Sequence, residues 1–131
     1  MKIEVYDLDE NLTERFIKFC CNELNVYPDE VTVEGWDTPL QNNATGLCFE
    51  VNFKSEYLIM VYKKDRTATE IYDTVAHEMI HVKQFVMQNL DKQIQSGESM
   101  PIYEDRWWEK EASEKSFSLV KKYVDTLYNM V

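Results

Sequence analysis

The stretch that most limits what this chain can fold into is residues 71–90, IYDTVAHEMIHVKQFVMQNL, where apolar side chains recur at helical spacing on more than one face. A surface helix needs a single apolar stripe, whereas a helix apolar on several faces has to run through the interior with other elements packed around it. Thr67 followed three residues later by Glu70 has the form of a capping box and starts this helix. The rest of the chain must supply its cover.

Residues 2–6 alternate weakly and read as a short strand. Asn11 with Glu14 has the form of a helix start, and Phe16, Ile17, Cys20 and Leu24 follow at helical spacing, ending near Asn25 ahead of Pro28. Residues 31–34 are β-branched and short. Residues 46–53 alternate Leu47, Phe49, Val51 and Phe53 on one face, and residues 56–63 hold the run Tyr57-Leu-Ile-Met-Val-Tyr62. Residues 35–45, with Pro39 and Asn42-Asn43, read as a loop, and Lys54-Ser55 is short enough for a hairpin turn.

Three strands in succession predict an antiparallel arrangement. Residues 91–101 are polar and contain glycine, hence a loop. From Trp107 a last helix is expected to turn Trp108, Ala112, Leu119, Tyr123 and Leu127 inward. The expected fold is α+β, one domain over residues 1–131. A three- to four-stranded, mainly antiparallel sheet would pack on the central helix, with helices at the N- and C-terminal ends.

With 131 residues, 44% of them hydrophobic, the chain can bury one sizeable core. Fourteen basic residues against 24 acidic ones leave a net charge of −10, which removes counterion release from nucleic acid as a driving force for binding. The charged start offers no apolar run for a signal peptide, and no window has the apolar length of a membrane span. The three cysteines are odd in number, with Cys20 and Cys21 adjacent and Cys48 in an apolar run. They read as reduced, packed thiols of a cytoplasmic protein.

Within the central helix stands His77-Glu78-Met79-Ile80-His81, which uses both histidines of the protein. Four-residue spacing puts the two imidazoles one turn apart on one face, so both can reach a single ion. Zinc accepts imidazole nitrogen, and two such ligands with a third leave a position for the water that hydrolysis needs. Glu78, beside the first histidine, is placed to take that water's proton. Chance yields His-Glu-x-x-His on the order of once in several hundred chains of this length. The bland reading is two buried histidines satisfied by core partners, with Glu78 at the surface. No third histidine exists, so a carboxylate must complete the set. The last helix opens Arg106-Trp107-Trp108-Glu109-Lys110-Glu111-Ala112-Ser113, with Glu109 three residues before a small side chain.

Thr74-Val-Ala-His-Glu-Met-Ile-His-Val-Lys-Gln84 and Trp108-Glu-Lys-Glu-Ala112 together resemble gluzincin-type metallopeptidases, more narrowly the short zincin-like, SprT-like proteins of phages and their hosts. The resemblance covers residues 57–117. It implies a small zincin-like domain, a zinc ion, a peptide or protein substrate, and the cytoplasm of a bacterium or of a phage-infected host cell. It points to Glu109 as third ligand, with Glu111 the alternative. Ser113 stands where several of these families place the Asp or Asn that holds the first histidine, and Trp107 where proline is frequent. In such enzymes the strand before the histidine helix is an edge for extended substrate, here residues 57–63. Tyr103 and Arg106, just ahead of Glu109, are candidates to donate to the oxyanion.

The function expected is zinc-dependent hydrolysis of peptide bonds with Glu78 as base. The alternatives are a catalytically silent zinc-binding protein that sequesters a partner through its acidic surface, and an acidic mimic of nucleic acid without metal. Spacing alone fixes neither substrate nor oligomeric state.

Overall fold

The computed structural model describes residues 1–90 and 106–129. In chain order these form β1 (Lys2–Tyr6), α1 (Glu10–Leu24), β2 (Glu30–Trp36), a 3₁₀ turn (Gln41–Asn43), β3 (Gly46–Asn52), β4 (Glu56–Tyr62), α2 (Ala68–Met87) and α3 (Trp107–Asn129).

Local chemistry sets the helix ends. Asp9, not Asn11, caps α1: its side chain accepts from the Leu12 amide, and the helix begins two residues earlier than the Asn11–Glu14 spacing implies. Asn25 stops α1 in the left-handed region, φ 53° and ψ 46°, a conformation asparagine tolerates better than most residues. For α2 the capping box is complete, with Thr67 accepting from the Glu70 amide and Glu70 accepting from that of Thr67.

The sheet has the order β1-β2-β4-β3. β1 runs parallel to β2 and β2 parallel to β4, while only β3 and β4 are antiparallel. The expected mainly antiparallel sheet is therefore corrected to a mixed one. α1 is the crossover that makes β1 and β2 parallel. The long connection after Trp36 carries the chain past the neighbouring position to the outer edge. The tight turn after Asn52 then brings β4 back into the gap beside β2. Succession along the chain is not adjacency in the sheet.

One face of the sheet is covered by α1 and α2. Val31 and Val33 of β2 and Tyr57, Ile59 and Val61 of β4 point into it and are essentially inaccessible to solvent. Each such side chain contributes about 1.5–3 kcal/mol by burial. On β3 the alternation reads the other way from a core strand, because Phe49 and Val51 lie 43% and 63% exposed on the uncovered face. Gly46, Cys48 and Glu50 face the helices. Gly46 has to be small there, since a Cβ on it would sit 2.6 Å from Thr74 Cγ2. Packing of α2, not hydropathy, sets the register of this strand.

α3 packs along the side of α2 away from the sheet and also touches α1. The apolar faces of α2 are thereby accounted for, with β3 and β4 on one flank, α1 on another and α3 on the third. An aromatic cluster, Phe16 against Tyr72 and Tyr123, ties the three helices together. Trp108, Ala112, Leu119 and Tyr123 are buried as expected, but Leu127 is 37% exposed where the helix runs past the core. All three cysteines are free thiols. Among the described residues no helix is long and apolar enough to cross a membrane. The loop expected at residues 91–101 lies outside the described residues.

Candidate metal centre

Because α2 is regular from Ala68, His77 and His81 stack one turn apart, with ring centroids 4.9 Å from each other and planes at 74°. Both rings face the first turn of α3. There Glu109 Oε1 lies 3.1 Å from His77 Nε2 and 2.6 Å from His81 Nε2. Ala112, one turn further along α3 and fully buried, lets the two helices approach closely enough for this meeting. These groups line a cleft of about 550 Å³, together with Gly46, Thr74 and Arg106.

Glu78 lies on the wall toward the sheet, only 4% exposed. The β3 backbone comes down on it, and a Cβ at Gly46 would stand 3.2 Å from Glu78 Cγ. Burial raises its pKa, the charges of His81 and His77 oppose that, and Glu109 adds to it; the net shift is upward. For Glu109 burial also disfavours the charged form, but hydrogen bonds from His77 and His81 outweigh it and hold the carboxyl well below the usual range. Burial works against a charged His81, yet the Glu109 hydrogen bond and the Glu78 charge raise its pKa. Glu78, His81 and Glu109 are thus shifted by their neighbours across two helices.

His77, Glu78 and His81 each bring a ligand atom within 4.8 Å of the others, a group that could hold a metal ion. Glu109 adds a fourth donor, within hydrogen-bond distance of both imidazoles. A tetrahedral zinc with bonds of about 2.0–2.2 Å keeps its ligand atoms roughly 3.3–3.5 Å apart. Each Nε2 needs to part from Glu109 Oε1 only by a fraction of an ångström to a little under one to accept it. Two neutral-capable imidazoles and a carboxylate form a donor set that suits such an ion.

Of the residues singled out in the sequence, His77, Glu78, His81 and Glu109 are brought together. Glu111 is not: its Oε1 accepts from Gln84 Nε2 at 3.2 Å, on the far side of His81. Arg106 is half-buried at the head of α3 and lines the cleft, its carbonyl accepting from the Glu109 amide. Tyr103 lies outside the described residues. Ser113 is exposed on α3 and does not take up the place beside the first histidine.

The expected substrate edge is also corrected. β4, residues 56–62, is flanked by β2 and β3, so the strand at the sheet edge beside the cleft is β3. Two residues that sequence reasoning passed over complete the surroundings. Arg66 donates to Tyr62 O, Glu70 O and Thr74 Oγ1, pinning the start of α2 to the end of β4. Gln84, fully buried, meets His81 Nδ1 at 2.7 Å with its Oε1. Its position three residues after His81, on the same helix face, is the signal that could have revealed it.

Comparison of the chain with models of protein families, with curated proteins and with solved structures finds no match. The functional reading therefore stands on the geometry of these side chains and on the sequence that puts them there.

Proposed function

We propose that this protein is a metal-dependent hydrolase of the gluzincin type, cutting peptide bonds with a zinc ion held by His77, His81 and Glu109. The observation that carries the reading is the convergence of both Nε2 atoms on Glu109 Oε1, in a cleft whose wall is the buried carboxyl of Glu78.

A divalent ion bound there supplies the positive charge that polarises a carbonyl and makes water acidic enough to be activated near neutral pH. The chain's own groups do the rest. Glu78, with its pKa raised by burial, is a carboxylate suited to accepting a proton from water and passing it to a leaving amine. It neighbours both histidines without contacting them as Glu109 does, which fits a base better than a ligand. Among the described residues β3 is an edge of the sheet, and its first residues, Gly46 to Cys48, line the cleft. An extended peptide added there as a strand would run past the histidines. Arg106, on the same cleft, is a donor for charge that develops on the carbonyl oxygen.

The test is Glu78→Gln. The variant should keep its zinc while hydrolysis of a peptide library falls about 10²- to 10⁴-fold. Cleavage at the wild-type rate would remove Glu78 as base.

A second reading is a silent zinc-binding protein that holds a partner. The exposed apolar side of β3, with Phe49 and Val51, and Phe53 just beyond it, open to solvent on a chain of net charge −10, favours it. Full biological activity of Glu78→Gln would decide for that reading.

A further inference from the structure

An imidazole on a helix can present either ring nitrogen to an ion, and which one is available depends on where its proton sits. His81 Nδ1 lies 2.7 Å from Gln84 Oε1 and its Nε2 faces Glu109. The amide of Gln84 makes two further contacts, through Nε2, with the backbone carbonyl of Trp108 at 2.9 Å and with Glu111 Oε1 at 3.2 Å.

The direction of these bonds follows from chemistry. A backbone carbonyl can only accept. The Gln84 nitrogen must therefore face Trp108 O, with Glu111 Oε1 beside it. Turning the amide over would set its oxygen against that carbonyl inside a buried site. With the nitrogen so committed, the Gln84 oxygen faces His81, and an oxygen there requires a proton on Nδ1. The lone pair of Nε2 is left for the cleft.

We propose that Gln84 is a positioning residue that fixes the proton of His81 on Nδ1, so that Nε2 is the ligating nitrogen, and ties that choice to the α3 turn that carries Glu109. The same side chain grips the ring of one ligand and, through Trp108 O, the backbone one residue before another. The two ligands are thus held in register across the two helices. This rests on the metal-centre reading given above. Its neutral amide also makes His81 a weaker donor than a carboxylate partner would, leaving more positive charge on the ion.

The experiment compares wild type, Gln84→Met, Gln84→Glu and the exchange Gln84→Glu with Glu111→Gln. Each ¹⁵N-labelled protein is checked for fold by circular dichroism. Zinc affinity is read by competition with a chromophoric chelator, and the ring protons of His81 by long-range ¹H–¹⁵N correlation.

Wild type should show an Nδ1 proton protected from exchange, both zinc-loaded and, in mildly acidic buffer, metal-free. Gln84→Met should lose that protection and about 10- to 100-fold in zinc affinity. Gln84→Glu keeps an acceptor for Nδ1 but sets a carboxylate against Trp108 O and Glu111. It should retain the proton signal and lose affinity. The exchange, which puts an amide donor at position 111 opposite the new carboxylate at position 84, should recover most of it.

Unchanged affinity and an unchanged His81 signal in folded Gln84→Met would overturn the inference while wild-type zinc binding kept the metal centre intact. A wild type that binds no zinc would instead remove the metal centre. The metal-free Nδ1 signal in wild type and Gln84→Met would then still decide whether Gln84 fixes the ring.

Discussion

His81 Nε2 and Glu109 Oε1 meet at 2.6 Å, an imidazole of α2 against a carboxylate of α3, both sheltered from solvent. At that distance the pair forms a charge-assisted hydrogen bond when His81 is protonated, so the ligand set itself clasps the two helices when no ion is bound. An ion would take over the clasp by displacing the proton.

The pH dependence of the metal-free protein follows. Glu109 has a folded pKa depressed below its ordinary 4.5, so its contribution is full above that value and is lost as pH falls through the folded pKa. His81 has a folded pKa raised above 6.5, so its contribution is full below that value and is lost as pH rises through the folded pKa. Both act together between the two ordinary values. In the presence of chelator, melting temperature should peak there, and zinc should move the peak upward in pH. A metal-free peak in alkaline buffer would contradict the pairing.

Glu109 and Glu111 sit two residues apart but face different partners, and their removal should differ accordingly. Glu109→Ala should weaken zinc binding by more than about 100-fold, beyond the 10- to 100-fold range typical of a group one step removed from the ion. Glu111→Ala should stay within that range, since it leaves the histidines and Glu109 in place. Equal losses in a chelator competition would put the assignment of Glu109 in error.

Gly46→Ala tests the closeness of β3 to Glu78, the proposed base. Its new methyl would meet Thr74 Cγ2 at 2.6 Å and Glu78 Cδ at 3.3 Å. Relief requires β3 or the head of α2 to move, at a cost of about 1–3 kcal/mol in denaturant unfolding. Hydrolysis should fall further than zinc affinity, because Glu78 is pressed and the histidines are not. Wild-type stability and activity would show that β3 stands further off.

Phe16→Ala separates stability from the centre. Phe16 is fully buried, with Tyr72 at 4.8 Å and Tyr123 at 4.9 Å between ring centroids. Its truncation should cost about 3–5 kcal/mol in chemical denaturation, while the folded fraction still takes up zinc. A smaller cost, under about 1 kcal/mol, would mean that the cluster does not hold the helices together.

How far the sequence could be read depended on how local each signal was. The capping box at Thr67 and the i, i+4 spacing of His77 and His81 are local, and the structure has both where the pattern puts them. The meeting of Glu109 with both histidines needs two helices to pack, yet the small Ala112 one turn later advertised a close approach. Strand order was hidden because β2 and β3 are successive in sequence and separated by β4 in space. The inward side of β3 was hidden because Gly46 and Cys48 face α2 while the apolar Phe49 and Val51 do not. For Gln84 the spacing from His81 was local and legible, but the Trp108 and Glu111 partners that satisfy its amide come from another helix and were not.

The most direct measurement is the metal content of protein purified without chelator, wild type beside His81→Ala, by elemental analysis. The account predicts about one zinc ion per wild-type chain and close to none in the variant. A wild type that stays free of metal when zinc is supplied, or a variant that retains all of it, would contradict the account.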